Sequence, residues 1–208
     1  MSTKEKILKS ALYLFNERGV DNITTRDIAG RINISQGNLH YHYPNKNQVL
    51  LALYEDFMTK LIALQRYKGD GFLKEEMFES MQDNFKLLHE YRYLTIDQAI
   101  IWRRVPEIKL AFVSLLDLKH KQIKQIIEHY KKSDLLRHEL THQELDHLAD
   151  QLMFAIASWI HVIPLLKNQE KPHIQYSEHV FKLWLPYLIS SERKNWIVYL
   201  EQAKSKRI

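Results

Sequence analysis

The stretch "TTRDIAGRINISQGNLHYHYP", residues 24–44, has the pattern of two short helices joined by a tight turn. Thr24 or Thr25 is a good N-cap for the first helix, because a side-chain oxygen there can accept a hydrogen bond from a free backbone N–H. Ser35 is an equally good N-cap for the second helix. Between the two helices, Asn33 can adopt the left-handed backbone conformation that a tight turn needs. The stretch therefore predicts a pair of short helices with a turn of three or four residues between them.

Apolar side chains recur on both helices, where they can pack into a common core. Two short helices joined in this way form the helix-turn-helix pattern, in which the second helix enters the major groove of DNA. We therefore expect this part of the chain to contact double-stranded DNA. The residues predicted to form the core between the two helices are Ile28, Ile32, Ile34 and Leu39.

The first turn of the second helix carries residue types that can read base edges. The side-chain amides of Gln36 and Asn38 can pair bidentately with adenine. Gly37 costs about 1 kcal/mol relative to alanine inside a helix, and we interpret it as a gap that lets this helix approach DNA closely. Arg26, in the first turn of the preceding helix, can reach guanine or a phosphate. These four residues are the predicted base-contacting set.

Hydroxyl, imidazole and ammonium groups surround that set. Such donors suit phosphate oxygens, and phosphate contacts position a protein on DNA without reading its sequence. Lys46 also lies at the start of the next predicted helix, whose free N–H groups favour an anion. The predicted phosphate-contacting residues are Thr24, Thr25, Ser35, His40, Tyr41, His42 and Lys46.

The helical pattern continues along almost the whole chain, and no strand alternation or internal repeat interrupts it. Ser2 and Glu5 have the spacing of a capping box, and Gly19 is placed to end the first helix. Asn45 and Gln48 have the same spacing ahead of a long helix. The predicted helices cover residues 2–18, 25–32, 36–43, 46–66, 73–91, 93–104, 106–132, 141–163, 174–188 and 191–203. Pro186 is expected to bend or end the helix over residues 174–188.

These helices predict an all-α fold with two parts. The first part is an N-terminal three-helix helix-turn-helix domain over residues 1–46. The second is a larger C-terminal helical domain over residues 47–208, expected to bind a ligand and to dimerise. Gly69-Asp70-Gly71 is the strongest composition break, although the helix before it belongs to both parts.

Composition narrows the classes of function. The chain has 208 residues and a net charge of +5, of which +3 lies within residues 1–50, so a polyanion could bind near the N-terminus. The absence of cysteine excludes disulfides, thiolate catalysis and cysteine-based metal sites. No apolar run approaches the roughly 18 residues of a membrane span, and no signal peptide precedes the first helix. The sequence predicts a soluble cytoplasmic protein.

Residues 11–50, "ALYLFNERGVDNITTRDIAGRINISQGNLHYHYPNKNQVL", resemble the DNA-binding domain of the TetR/AcrR family of transcriptional regulators. The family pattern runs A-x-x-L-F-x-x-x-G, then T-T-x-x-I-A, then S-x-G-x-L-Y-x-H/Y-F-x-x-K-x-x-L. The rest of the chain resembles the family only as an all-helical domain of the usual length. The matching residues are Ala11, Leu14, Phe15, Gly19, Thr24, Thr25, Ile28, Ala29, Ser35, Gly37, Leu39, Tyr43, Lys46 and Leu50.

The resemblance implies a homodimeric repressor that binds a palindromic operator and is released by a small effector. It places Arg26 and the residues 36–38 at base-reading positions. It also implies phosphate contacts by Thr25, His40, His42 and Lys46. Two residues depart from the family pattern. Asn33 replaces the turn glycine, and His40 replaces the usual tyrosine, so a phosphate contact there would depend on pH.

The C-terminal half carries apolar and aromatic residues that a ligand cavity of this family would use. An apolar excess in residues 153–163 and 180–188 further predicts a dimer interface packed from helices. Gln98 and His161 are polar residues in apolar stretches and could orient a ligand. The predicted ligand-binding residues are Gln98, Trp102, Phe112, Met153, Phe154, Trp159 and His161.

Other functions remain open at this point. The histidines could make the protein a metal or pH sensor on the same scaffold. However, His40 and His42 are two residues apart and point different ways on a helix, whereas metal pairs prefer a spacing of four. His138 and His142 have that spacing, with Glu139, Glu144 and His147 nearby, but they are expected to straddle a loop. No cofactor motif and no paired acid–base spacing indicates an enzyme.

Overall fold

A computed structural model describes residues 1–64, 73–162 and 172–205, and for residues 159, 160, 162, 204 and 205 it describes the helical backbone only. Across these ranges the secondary structure is helical, with one isolated antiparallel bridge between Leu136 and Leu188. The predicted all-α fold class is confirmed. The helices are α1 (Thr3–Arg18), α2 (Thr25–Arg31), α3 (Gln36–His42), α4 (Lys46–Ala63), α5 (Lys74–Glu90), α6 (Tyr93–Ile96), α7 (Gln98–Arg104), α8 (Pro106–Lys132), α9 (His142–Val162), α10 (Pro172–Lys182) and α11 (Ser190–Ser205).

The ends of α1 follow from the residues that cap it. The Ser2 hydroxyl accepts a hydrogen bond from the Glu5 N–H, and the Glu5 carboxylate accepts one from the Ser2 N–H. At the other end, Gly19 has φ +78°, which lies in the region that glycine adopts most easily. Both predicted ends of this helix are confirmed.

The helix-turn-helix is formed by α2 and α3. Thr24, and not Thr25, is the N-cap of α2, and it exchanges hydrogen bonds with Asp27 in a reciprocal capping box. Asn33 adopts the predicted left-handed conformation, with φ +56°. Ile28 and Leu39 are fully buried, as predicted for the core between the two helices, whereas Ile32 and Ile34 are only half-buried.

The described residues fall into two compact units. One unit contains residues 1–64 and 87–114, and the other contains the described residues of 65–86 and 115–208. In the first unit, α1 packs against α2, α4 and α6. Tyr91 is buried there against Phe57, donates a hydrogen bond to Asp56 and accepts one from Lys60.

One predicted helix is in fact two. The helix expected over residues 93–104 breaks at Asp97, which has φ −99° and ψ 22° and separates α6 from α7. The Asp97 side chain makes a long-range hydrogen bond to the N–H of Val20 instead of pointing into solvent. This tertiary contact has no counterpart in the local pattern, so the prediction of a continuous helix was wrong.

The second unit encloses a core rich in aromatic rings. The rings of Phe181 and Trp196 stack with their centroids 4.0 Å apart, and Tyr130 lies 5.2 Å from Trp184. Burying such rings is a large apolar contribution to folding. The side chains of Val180, Phe181, Trp184 and Leu188 are all buried in this core. These four apolar residues are thus used within the protomer, and the dimer-interface role predicted for residues 180–188 stays a prediction.

The helix predicted over residues 174–188 runs from 172 to 182, and turns follow it. Pro186 lacks an N–H and restricts the residue before it, so it cannot sit inside a helix without cost. The chain instead extends alongside residues 135–137, where the Arg137 N–H donates to the Tyr187 carbonyl and the Ile189 N–H donates to the Leu135 carbonyl. The predicted end near residue 188 was therefore wrong, whereas the expectation that Pro186 bends or ends this helix agrees with the turns that follow residue 182.

Three sequence expectations are not decided by these helices. The composition break at residues 69–71 and the end of the helix near residue 66 lie outside the described residues. The functional division at residue 46 stays a prediction.

Among the described helices, none is long and apolar enough to cross a bilayer.

Candidate nucleic-acid interface

The recognition face predicted on α3 is exposed, and its opposite face is anchored. Gln36, Gly37 and Asn38 are all exposed, whereas Leu39 is fully buried one residue further on. The Ser35 hydroxyl accepts a hydrogen bond of 3.1 Å from the Asn38 N–H and so fixes the first turn. The three residues are thus presented outward from a helix whose start and core side are held.

Gly37 is not required by the packing of the protein. A Cβ atom built there would meet only the Ser35 hydroxyl, at 3.9 Å, which is ordinary contact. Gly30 is open in the same way, with nothing within 4 Å. Gly19 differs, because its φ is positive and a Cβ would lie 3.3 Å from the Asp97 carboxylate. The space in front of Gly37 therefore belongs to the outer surface of the helix-turn-helix.

A small polar cluster joins α2 to both ends of α3. The Gln36 amide donates to the Thr25 hydroxyl at 3.4 Å, and the imidazole Nε2 of His40 lies 3.3 Å from the same oxygen. Both contacts are long, so they orient these side chains weakly and leave them able to turn toward a ligand. The structure thus brings together three residues that the sequence predicted separately.

The remaining predicted donors lie around this cluster. Arg26 is exposed on α2, and Tyr41 is exposed to 86 % on the outer side of α3. His42 is half-buried, with its ring 5.2 Å from that of Tyr41. Thr24 already uses its hydroxyl in the capping box of α2. The hydrogen bonds to Thr24 hold the pKa of Asp27 below its usual value.

Lys46 has internal partners that the sequence did not reveal. Its ammonium group donates to the carbonyl oxygens of Val20 and Ile23, at 2.9 and 2.8 Å. Burial lowers the pKa of Lys46, and the neighbouring guanidinium of Arg104 lowers it further. These two bonds engage two of the three N–H groups of the ammonium.

Sequence reasoning missed a cation–π pair on the same unit. The guanidinium carbon of Arg31, at the end of α2, lies 3.7 Å from the centre of the Tyr13 ring on α1. Such a pair holds an exposed cation in place. Nothing in the local pattern pairs the two residues, because they come from different helices.

The predicted ligand-binding residues lie in both compact units. In the first unit, Gln98 is half-buried and the rings of Trp102 and Phe112 pack 5.7 Å apart. In the second, Met153 and Phe154 border a shallow surface depression of about 220 Å³, below the volumes of roughly 300–1,000 Å³ common for ligand sites. It is lined by Leu116, Asp117, His120, Asp150, Met153 and Phe154.

Phe154 and His161 are exposed on α9, with Phe154 exposed to 76 %. An aromatic ring this exposed fits a contact surface better than an enclosed cavity. The side chain of Trp159 lies outside the described residues. The ligand-binding role of this set stays a prediction.

The metal-sensor alternative gains no ligand set from the described part of the chain. In the parts of the chain that are described, no three histidine, aspartate or glutamate side chains converge as metal ligands. His138 lies in the loop before α9 and His142 is the first residue of that helix, so the pair straddles a loop as expected. Thr141 and Glu144 are engaged in the capping box that starts α9.

Two family profiles match the chain and meet at residue 53. Residues 7–53 match bacterial regulatory proteins of the tetR family, and residues 53–196 match the TetR bacterial transcriptional repressors. The chain belongs to the TetR family. It is a TetR-family transcriptional repressor and not an enzyme. Regulators of this family bind DNA operators and act as dimers.

Curated relatives agree with this family. The chain is 30 % identical over 96 residues to IcaR, the HTH-type negative transcriptional regulator of the biofilm operon icaADBC, from Staphylococcus epidermidis. That match covers 45 % of this chain and half of the relative's length. IcaR of Staphylococcus aureus strain Newman is 25 % identical over 164 residues, covering 75 % of this chain and 81 % of the relative.

Solved structures of transcriptional regulators share the fold. A TetR-family transcriptional regulator from Marinobacter aquaeolei VT8 superimposes with a TM-score of 0.86 at 24 % identity, covering 97 % of this chain and 98 % of that one. A transcriptional regulator from Saccharomonospora viridis, solved in complex with choline, gives a TM-score of 0.66 at 20 % identity, covering 87 % and 94 % of the two chains.

Proposed function

We propose that this repressor binds a palindromic operator as a homodimer, with one α3 helix in each of two successive major grooves. The observation that supports this most directly is the open, outward-facing surface at Gly37, flanked by the exposed amides of Gln36 and Asn38. A helix placed in a groove needs such a surface, because a side chain at that point would hold it away from the bases.

In this proposal the contacts divide by chemistry. Arg26 and residues 36–38 read base edges, while the surrounding donors contact phosphates and carry no sequence information. Tyr41 is well placed for a phosphate because its hydroxyl stands clear of the protein. Lys46 would reach a phosphate with its third N–H while its other two hold the turn before α2.

A small apolar or amphipathic effector is proposed to release the repressor. It can do so only if it binds the released arrangement more tightly than the DNA-bound one. Such a regulator would work in the cytoplasm, where it meets the DNA. The exposed ring of Phe154 on α9 supports that helix as a contact surface for the second protomer.

Selection of bound duplexes from random DNA tests the proposal. We expect enrichment of one palindrome whose half-sites lie about one helical turn apart, or a multiple of it. Sedimentation of the protein with the enriched duplex should give an even number of protomers per palindrome. Recovery of duplexes without a shared inverted repeat would contradict the proposed mode of binding.

A further inference from the structure

The corner between α1 and α2, residues 19–23, is held by a side chain far away in sequence. The N–H of Val20 donates a hydrogen bond of 2.6 Å to the Asp97 carboxylate. Val20 is fully buried, so its N–H has no access to water. A buried N–H without a hydrogen-bond partner is costly, and the Asp97 carboxylate is the partner of the Val20 N–H. The corner therefore depends on Asp97.

Gly19 is fitted to the same carboxylate. Its φ of +78° favours glycine, and a Cβ on it would lie only 3.3 Å from one Asp97 oxygen and 3.7 Å from the other. A side chain at position 19 would therefore be strained by the positive φ, and its Cβ would require the carboxylate to give way by a few tenths of an ångström. Gly19, which ends α1, therefore lies directly beside the Asp97 carboxylate.

Asp97 reaches the corner because the helix breaks at it. Its own N–H donates to the Tyr93 carbonyl, and its carbonyl accepts from Ile100 and Ile101, so its backbone is fixed at both sides of the break. A residue inside a continuous helix would point its side chain along that helix's own surface. The break between α6 and α7 instead directs one acidic side chain at the corner.

Further polar contacts join the same two segments. The Asn16 amide donates to the Glu90 carbonyl at 2.8 Å, and its oxygen accepts from the Tyr93 N–H at 3.1 Å. Arg104, the last residue of α7, pairs with Asp21 at 2.6 Å. Its carbonyl accepts from the Asn47 amide at the start of α4.

We propose that Asp97 is a positioning residue for DNA reading, although it lies outside the helix-turn-helix. Asp97 fixes the corner that leads into α2, and α2 packs against α3. The orientation of the recognition helix α3 therefore depends on Asp97. The contact between Asp97 and the Val20 N–H then links segment 90–104 to the recognition helix. This inference rests on the proposed function and adds to it the residue through which the two are coupled.

Three variants distinguish the loss of the Asp97–Val20 contact from a general loss of stability. Asp97→Ala removes the acceptor, and Asp97→Asn retains an oxygen that can accept more weakly. Glu17→Gln is the matched control, because it removes the acidic charge from the exposed Glu17–Arg92 pair between the same segments and leaves the corner untouched. Thermal unfolding of each variant establishes that it is folded before any comparison.

Hydrogen exchange of the free protein tests the contact itself. We expect the Val20 amide to exchange about tenfold faster or more in Asp97→Ala, and at close to the wild-type rate in Glu17→Gln. Asp97→Asn should lie between them, and it provides the test if Asp97→Ala does not fold. Wild-type exchange of Val20 in both Asp97 variants would overturn the proposal.

Binding of a duplex enriched from random DNA tests the coupling. Because coupling is reciprocal, the duplex should slow exchange within residues 90–104 of the wild type and of Glu17→Gln. Asp97→Ala should bind it about tenfold more weakly and lose that slowing. Unchanged affinity and unchanged slowing in Asp97→Ala would overturn the positioning role alone, whereas failure to enrich any duplex would overturn the proposed function.

Discussion

The ammonium nitrogen of Lys46 lies 2.8 Å from the carbonyl oxygen of Ile23, inside the first compact unit. A second bond, to the carbonyl of Val20, spans the same turn. The first residue of α4 thereby closes the loop that precedes α2. The residue expected to contact phosphate is also part of the support of the helix-turn-helix.

We expect Lys46→Met to destabilise the protein as well as weaken DNA binding. The variant keeps most of the apolar stem but removes the Lys46 donor to the Ile23 carbonyl and the shorter of the two hydrogen bonds to the Val20 carbonyl, which costs about 1–3 kcal/mol in the free energy of unfolding. If the third N–H contacts a phosphate, the slope of log affinity against log salt falls by about one. Urea unfolding and salt titrations measure the two effects separately. Lys194→Met, at an exposed position of α11, is the control and should change neither.

Gly37→Ala should separate folding from DNA binding. Alanine fits the open space and favours a helix, so the free energy of unfolding should stay the same or rise by up to about 1 kcal/mol. The added methyl group should weaken operator binding about tenfold, because overpacking a close contact typically costs about 1–3 kcal/mol. Gly30→Ala, which also adds a methyl to open space, should stabilise similarly and leave affinity unchanged. Wild-type affinity in Gly37→Ala would show that α3 does not approach DNA at this point.

Gln36→Ala should change sequence preference more than overall affinity. Loss of a bidentate amide removes about 1–3 kcal/mol of discrimination at one base pair. Binding to the selected duplex should therefore fall, while binding to random duplexes changes little. Gln143→Ala, exposed on α9, should leave both unchanged. Equal losses on both kinds of DNA would contradict base reading by Gln36.

Acid should weaken the start of α2. The Thr24 hydroxyl contributes most to lowering the pKa of Asp27 below its usual 3.8, and the Thr24 N–H adds to this. A carboxylate with a lowered pKa in the folded state stabilises the protein above its usual pKa and loses this contribution as pH falls through the folded value. The free energy of unfolding should thus drop below about pH 4.

The Asp27→Asn variant should show a shallower fall over the same pH range, measured by urea unfolding at a series of pH values. Thr24→Val should remove most of the same dependence, because it takes away the main donor. In the double variant the two changes should not add, since both act on one hydrogen-bonded pair. Additive effects would assign the acid sensitivity to other groups.

Local chemistry made much of the fold predictable. The caps at Ser2 and Ser35, the left-handed Asn33 and the terminating Gly19 each depend on neighbours within a few residues, so the sequence carries the whole signal. Where a distant residue takes part, the sequence misleads. Residues 93–104 have a helical pattern throughout, yet the helix breaks at Asp97, whose carboxylate accepts a hydrogen bond from the Val20 N–H.

The candidate site shows the same division. Exposure of residues 36–38 follows from the helix period and from the buried Leu39, and it was predicted from the sequence. The shared contact of Gln36 and His40 with Thr25 was not predicted, because it joins side chains from two helices. The internal bonds of Lys46 were missed for the same reason.

By itself, the sequence determined the fold class, the helix-turn-helix and the residues that its outer face presents. These follow from side-chain periodicity and capping, which act over a few residues. Only the tertiary structure decided that Lys46 supports the corner before α2, that Asp97 holds it from the far side, and that Gly37 opens onto empty space while Gly19 does not. These relationships depend on which atoms meet across the packed helices, and that is fixed only once the chain has folded.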